Sequence, residues 1–177
     1  KSTRFYFLEA CMKVAIFFGS KSDTETMKKA ADTLREFGVE FRAFVISAHR
    51  APELLKKTIQ KIENEGFEVI IAGAGLSAAL PGVIASHTVL PVIGVPLECI
   101  TPGKSNGLSG VDSLLSIVQM PPQIPVASVG INAAKNAALF AVEILSIKYP
   151  ILKEKLIAFR ENLLLEAEKN GANGIDL

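Results

Sequence analysis

The chain has 177 residues and a mass of 18.9 kDa, so one domain accounts for it, because domains commonly span about 100–200 residues. Hydrophobic residues make up 49% of the sequence and charged residues 21%, which excludes a disordered chain. With 19 basic and 18 acidic side chains, the formal charge of +1 gives no reason to expect nucleic acid or an anionic membrane surface as a partner.

Two long segments carry no charged side chain: 29 residues between Glu68 and Glu98, and 22 residues between Asp112 and Lys135. About 20 apolar residues can span a bilayer, so length alone is compatible with a membrane helix. Glycines and prolines divide both segments into pieces of strand or short-helix length, and neither has basic residues on one flank. We therefore expect no membrane span.

The ends of the chain and its cysteines indicate the setting. Cys11 and Cys99 match no zinc spacing, and the first residues contain no signal-peptide cleavage site, so a reduced, cytoplasmic location is predicted. Met12 directly precedes the first strand-like segment, and residues 1–11 are interpreted as an N-terminal extension or cloning remnant. Residues 12–149 are predicted to form the folded domain, and residues 150–177 a C-terminal helix and tail.

Strand-like and helix-like segments alternate along the chain. The predicted strands are rich in apolar residues and lie at Lys13–Phe18, Val39–Ile46, Glu68–Ala74, Pro91–Val95 and Pro125–Val129. The predicted helices have apolar residues at helical spacing and lie at Thr24–Phe37, Ala51–Glu65, Ser77–Ser86, Ser109–Gln119 and Asn132–Ser146. A loop rich in glycine and proline follows the fourth strand.

This alternation implies right-handed crossovers and a parallel, doubly wound sheet. We expect an α/β protein, a flavodoxin-like three-layer sandwich with five parallel strands in the order 2-1-3-4-5 and its ligand at the carboxyl ends of the strands. A last helix, Pro150–Lys169, carries an apolar stripe at Leu152, Leu156, Phe159 and Leu163. The stripe is compatible with packing on its own domain or on a neighbouring subunit, and the high apolar content favours the neighbour.

Polar residues gather where the first two strands end. The run Gly19 to Asp23 (GSKSD) combines a glycine that lets the backbone come close, two hydroxyls and a predicted helix N-terminus with free N–H groups for an anion. Such a run is equally typical of a simple helix cap. After the second strand, His49 can exchange a proton near neutral pH and Arg50 can bind phosphate through two hydrogen bonds. A histidine beside a helix start is often structural, so both interpretations of His49 stay open.

Small residues follow the third strand from Ala72 to Gly82, and they allow either close approach of a flat ligand or tight helix–sheet packing. His87, in an apolar helix and loop, is interpreted as a packing residue. The histidines and cysteines assemble into no metal site. From the residues alone, the chain is predicted to bind a phosphorylated small molecule, with His49 as a candidate acid or base.

These motifs, in this order, resemble the PurE family of purine biosynthesis, the N5-carboxyaminoimidazole ribonucleotide mutases. The matching motifs are GSKSD (19–23), SAHRAPE (47–53), AGAG (72–75), LPG (80–82), PVIGVP (91–96) and SGVDSLLSIVQMP (109–121). The resemblance covers residues 13–149 and makes 12–149 a flavodoxin-like catalytic domain. It implies interconversion of N5-carboxyaminoimidazole ribonucleotide and 4-carboxy-5-aminoimidazole ribonucleotide, with no metal and no cofactor. It also implies a homo-octamer with active sites at subunit junctions.

The resemblance implies a role for each motif. Ser20, Ser22 and Asp23 would hold the ribose 5-phosphate, with Asp23 on the ribose hydroxyls. Ser47 and Arg50 would complete the phosphate clamp, and His49 would carry the proton while carbon dioxide leaves the amine and is recaptured at C4. The other positions of the substrate cleft would be Gly19, Ala48, Ala74, Gly75, Leu76 and Ser77. A neighbouring subunit would contribute Ser109, Gly110, Asp112 and Ser113.

Two features depart from the family pattern. Mutases of this family usually carry a second histidine where this chain has Ala79, and the related carboxylases that use free carbon dioxide also lack it. Direct carboxylation of aminoimidazole ribonucleotide is therefore the alternative activity, and a non-catalytic, flavodoxin-like nucleotide-binding module is a third interpretation. The segment Leu97–Asn106 is longer than usual for the family and is interpreted as either a flap over the site or a surface insertion.

Overall fold

A computed structural model describes residues 12–101 and 104–171. Its main sheet has five parallel strands, β1 (Lys13–Phe18), β2 (Glu40–Val45), β3 (Val69–Gly75), β4 (Val92–Leu97) and β7 (Ala127–Ser128). They lie in the order β2-β1-β3-β4-β7. A two-stranded antiparallel hairpin, β5 (Cys99–Thr101) and β6 (Lys104–Asn106), precedes β7, which is therefore the fifth strand of this sheet. Counted within the sheet, the order is the predicted 2-1-3-4-5, and the flavodoxin-like fold is confirmed.

Helices cover both faces of the sheet and give it three layers. On one face lie α1 (Thr24–Phe37) and α5 (Ala134–Ser146), with α6 (Pro150–Gly171) packed beyond them. On the other face lie α2 (Pro52–Asn64), α3 (Leu80–Ala85) and α4 (Val111–Val118). The alternation of strand side chains explains the two cores: Val14 and Ile16 of β1 are buried on the first face, and Ala15 and Phe17 on the second.

Close packing of helices on the sheet depends on two strand glycines. A Cβ on Gly73 of β3 would collide with the sulfur of Met27 in α1. A Cβ on Gly94 of β4 would lie 2.5 Å from Cγ2 of Ile117 in α4. These positions lie on opposite faces of adjacent strands, and there the small residue lets a large helix side chain reach the backbone of the sheet.

The first uncharged segment lies largely in this core, whereas the second lies mostly at the surface, with Ser113, Ile117 and Ala134 as its buried residues. The first forms β3, α3 and β4, and the strands are almost completely buried. Within residues 12–101 and 104–171, no helix is both long enough and apolar enough to cross a bilayer.

The last helix divides into two halves with different environments. In the first half, Leu152 and Leu156 are buried, and Nζ of Lys155 donates to the carbonyl of Phe37 at 2.7 Å. Packing on its own domain, one of the two alternatives above, therefore describes this half. In the second half, three consecutive leucines are 49–60% exposed, Leu163, Leu164 and Leu165. Contact with a neighbouring subunit remains a prediction for this half.

Three predicted segments differ clearly from the observed ones. The fifth strand comprises only Ala127–Ser128 and not Pro125–Val129. The third helix begins at Leu80 and not at Ser77, because Leu76 adopts the left-handed φ of +54° and Pro81 is tolerated only in a first helical turn. The loop predicted after β4 contains the hairpin β5–β6.

Candidate active site

A cleft of about 370 Å³ lies where β1, β3 and β4 end, beside the loop that follows β2. It brings together His49 and all the residues that the sequence predicts for the substrate cleft. Its lining comprises Gly19, Ser20, Ser22, Asp23, Ser47, Ala48, His49, Arg50, Ala74, Gly75, Leu76, Ser77, Ala78, Ala79, Leu80 and Cys99. The cleft therefore draws on four separate segments of the chain.

The loop after β1 is ordered by its own polar side chains. The amide of Ser20 donates to Oδ2 of Asp23 at 3.1 Å, and the amide of Ser22 donates to Oγ of Ser20 at 3.3 Å. Ser20 and Asp23 form a capping box on the single 3-10 turn Lys21–Asp23, directly before α1: each side chain accepts from the backbone amide of the other residue. The hydroxyl of Ser22 lies 2.9 Å from Oγ of Ser20. The run is thus both a cap, as one interpretation held, and part of the cleft lining.

Asp23 is the carboxylate of this loop. Its partial burial raises the pKa of the carboxyl above the usual value of 3.8, and hydrogen bonds from Ser22 and Ser20 only partly offset that effect. The ionised form of Asp23 is therefore less stable in the folded protein than it would be in water. A carboxylate kept under these conditions, on the edge of a cleft, is typical of a functional group.

The loop after β2 carries the cationic and titratable groups. His49 and Arg50 are exposed in the turn between β2 and α2. Nη2 of Arg50 donates to the carbonyl of Gly19 at 3.1 Å, which ties this loop to the one after β1. The carbonyl of Ser47 accepts from the amide of Ala51 at 3.0 Å, so Ser47 shapes the turn from which both side chains project.

Small and apolar side chains form the opposite wall. Ala74 and Gly75 end β3, and Leu76 and Ser77 form the turn that follows. The prediction of a helix N-terminus at Ser77 is wrong, since α3 starts at Leu80, so this wall offers a turn and apolar side chains instead of a row of helix amides. The predicted site omits four residues that line the cleft: Ala78, Ala79, Leu80 and Cys99.

The four residues predicted to serve a neighbouring subunit lie outside this cleft. Ser109 is exposed and Gly110 is buried, at the entry to α4. Ser113 is fully buried, and its Oγ lies 3.0 Å from the carbonyl of Leu97 and 2.8 Å from that of Gly110, so this hydroxyl serves its own chain. Asp112 is partly exposed.

Two further sequence interpretations concern His87 and metals. His87 is exposed after the end of α3, so its interpretation as a packing residue is wrong. Among the residues that the structure describes, no group of three or more His, Cys, Asp or Glu side chains could hold a metal ion.

The fold and cleft define an α/β protein of flavodoxin-like architecture in which a polar loop faces a wall of small and apolar residues. The family model described as AIR carboxylase matches residues 13–165. The N5-carboxyaminoimidazole ribonucleotide mutase of Pyrococcus abyssi is 59% identical over 151 residues, which cover 85% of this chain and 83% of that protein. The enzyme of the same name from Thermotoga maritima is 49% identical over 154 residues, covering 87% and 86%.

Among solved structures, Treponema denticola PurE superposes with a TM-score of 0.76 at 26% identity, covering 90% of this chain and 98% of that one. The chain belongs to the AIR carboxylase family. The match to the family model ends at residue 165, so it includes the buried first half of α6 and also the exposed leucines at 163–165.

Proposed function

We propose that this protein is an N5-carboxyaminoimidazole ribonucleotide mutase, which moves a carboxylate from the exocyclic amine of the substrate to C4 of its imidazole ring. The observation that carries the proposal is the single cleft in which a phosphate-type loop, His49 and Arg50 face a wall of small residues. Relatives that are 49–59% identical over most of their length carry this enzyme name.

The polar side of the cleft suits a ribose 5-phosphate. Ser20 and Ser22 offer hydroxyls at the start of the turn before α1, and Arg50 offers a planar guanidinium from the facing loop. The Arg50 guanidinium already reaches across to Gly19, so its position requires little reorganisation when an anion enters between the loops. Asp23, an acceptor, is assigned to the ribose hydroxyls.

His49 is the proposed proton carrier. Breaking the N–C bond of the carbamate releases carbon dioxide, and the amine nitrogen gains a proton. Forming the C–C bond at C4 consumes carbon dioxide, and C4 loses a proton. One group that both gives and takes a proton near neutral pH can serve the two steps, and an imidazole at the cleft edge meets that requirement.

The apolar wall is assigned to the reacting end of the substrate. Ala74, Ala78 and Leu80 are buried and have no polar side-chain atoms, so this part of the wall offers carbon dioxide no side-chain hydrogen bond. Carbon dioxide would then be retained between the two steps because the walls of the cleft enclose it.

Direct carboxylation of free aminoimidazole ribonucleotide is the second candidate, and Ala79 is the observation behind it. This residue lines the cleft where mutases of the family usually carry histidine. The names of the close relatives favour the mutase. The test is an assay of the purified protein with the carbamate, and separately with aminoimidazole ribonucleotide plus bicarbonate. Faster turnover of the carbamate supports the mutase, and the reverse preference overturns it.

The proposal includes a cytoplasmic homo-octamer. Three exposed apolar side chains share one face of α4, at i, i+4 and i+7: Val111, Leu115 and Val118. The exposed leucines of α6, at 163–165, form a second apolar cluster. Self-association would bury both surfaces and bring Ser109 and Asp112 toward a neighbouring cleft. Light scattering should give about eight times the chain mass of 18.9 kDa, and a mass near that of one chain would refute the octamer.

A further inference from the structure

The hairpin β5–β6 leaves the sheet at the carboxyl end of β4, directly beside the cleft. No motif behind the proposed function includes it. Its first residue, Cys99, lines the cleft, and a Cβ on Gly75 would lie 3.8 Å from the Cβ of Cys99. The side chain of Cys99 is therefore within van der Waals reach of the end of β3, at the point where the apolar wall begins.

The other end of the hairpin contacts the same wall. Leu76 has the left-handed φ of +54°, a strained conformation for a residue with a side chain. Its Cδ2 would lie 3.0 Å from a Cβ on Gly107, which directly follows β6. Gly107 has φ of +75°, and a Cβ there would also collide with Oδ2 of Asp112. Leu76 can lie against this part of the backbone because position 107 has no side chain.

The base of the hairpin is fixed to the body of the domain. The amide of Glu98 donates to Oδ1 of Asn132 at 3.0 Å, and the amide of Asn132 donates to the carbonyl of Pro96 at 2.8 Å. Gly110, beyond the hairpin, is buried so closely that a Cβ would lie 2.6 Å from Cγ2 of Ile131. The backbone on either side of Cys99 and Gly107, the two residues that contact the cleft wall, is thus held in place by the rest of the domain.

We infer that Cys99 and Gly107, at the two ends of the hairpin, form a functional wall of the substrate cleft together with Leu76, which they hold over the carboxylate end of the substrate, and that this wall limits the escape of carbon dioxide. Gly107 acts through Leu76 and is a positioning residue. The role assigned to carbon dioxide rests on the proposed function. If the wall loosens, the carbamate still loses carbon dioxide and its nitrogen still gains a proton, but recapture at C4 fails and aminoimidazole ribonucleotide is released.

The test is Gly107→Ala, with Gly66→Ala as the matched control. Gly66 also has a left-handed φ, +78°, but a Cβ there meets no atom within 4 Å, so its substitution adds the same backbone strain without touching the wall. Two quantities are measured on the full chain. One is the fraction of carbamate turnovers that release aminoimidazole ribonucleotide, corrected for decay without enzyme. The other is the dissociation constant of aminoimidazole ribonucleotide, which requires no turnover.

Gly107→Ala should raise both quantities about fivefold, a factor that corresponds to about 1 kcal/mol, and Gly66→Ala should leave both at the parent values. Leu76→Ala, which leaves the hairpin sequence unchanged, should have a similar effect. Adding Gly107→Ala to it should then change nothing further when both chains also carry Asp112→Ala, which removes the carboxylate that the new Cβ would otherwise meet. This comparison tests whether Gly107 acts through Leu76 even if Gly107→Ala lowers the stability of the fold.

Parent-like values in Gly107→Ala, or independent effects in the double variant, would overturn the inference. A parent protein that binds the nucleotide without isomerising the carbamate would refute the proposed function, and the dissociation constants would still decide whether the hairpin forms the wall. A parent protein that does not bind the nucleotide would overturn both.

Discussion

Replacing Gly19 with alanine adds one methyl group at the edge of the cleft, between β1 and the turn that carries Ser20 and Ser22. A Cβ at this position meets no atom within 4 Å, and the backbone is outside the left-handed range that disfavours a side chain. The fold therefore does not require a glycine here. The proposed function does require one, because the phosphate must approach the backbone of this loop closely.

In Gly19→Ala, the stability of the fold and the affinity for the nucleotide should therefore change in opposite directions. The free energy of unfolding should rise by about 0.4–1 kcal/mol, because alanine reduces the entropy of the unfolded chain at a compatible position. The affinity for aminoimidazole ribonucleotide should fall about tenfold, or about 1.4 kcal/mol, because the methyl displaces the phosphate from the Ser20 and Ser22 donors.

Calorimetric titration with the nucleotide and denaturant unfolding supply the two measurements. Gly130→Ala is the matched control, since a Cβ there meets only the Cβ of Ala133 at 3.7 Å and the residue does not line the cleft. Unchanged affinity in Gly19→Ala would refute the close approach of the ligand to this backbone. A marked loss of stability would mean that the fold itself requires the glycine.

Three further substitutions test separate parts of the account. His49→Asn should reduce isomerisation at least about a hundredfold while sparing nucleotide binding; full activity would remove His49 from the chemistry. Asp23→Asn keeps an acceptor for the Ser20 amide and removes the carboxylate whose pKa is raised by burial. A raised pKa in the folded state means that the free energy of unfolding declines as the pH rises from about 4 through that pKa. The variant should therefore lose this part of the pH-dependent decline in denaturant unfolding, and it should be at least as stable as the parent at pH 7. It should also bind the nucleotide more weakly. Lower stability than the parent at pH 7 would contradict the burial argument. Gly94→Ala should lower the free energy of unfolding by about 1–3 kcal/mol, since the methyl would press on Ile117; an unchanged unfolding midpoint would contradict the tight contact between α4 and β4.

The sequence predicted an element best where the spacing of its apolar residues and the residues that end helices indicated the same boundaries. The helix at 24–37 has buried residues at helical spacing and ends at Gly38, whose left-handed φ of +73° is a common helix stop, so both of its ends were predictable. The strand order followed from the alternation of strands and helices, which leaves few topologies for a parallel sheet.

The third helix and the hairpin were not predictable in the same way. Nothing in the residue type of Leu76 signals a left-handed backbone, because that conformation is uncommon for leucine, so the helix was expected three residues too early. The hairpin strands are three residues each, too short for an alternating pattern, and they lie among glycines and prolines that indicate a loop.

The same limits apply to the site. His49, Arg50 and the Ser20–Asp23 loop stood out because polar residues followed apolar strands, and the structure places them around one cleft. Cys99 had no such signal, since it reaches the cleft only because the chain turns into the hairpin directly after β4. The apolar stripe of α6 was visible in the sequence, but a stripe alone does not say which surface covers it: Leu152 and Leu156 are buried against their own domain, and Leu163 is exposed.

The most direct test of the mutase proposal follows the carboxylate itself. The carbamate substrate is prepared with a carbon-13 label in its carboxylate, and the purified protein converts it in the presence of excess unlabelled bicarbonate. Because the proposed cleft holds carbon dioxide between its loss from nitrogen and its recapture at C4, the product should keep the label in most turnovers. A product that carries carbon from the bicarbonate pool would contradict the mutase and favour direct carboxylation.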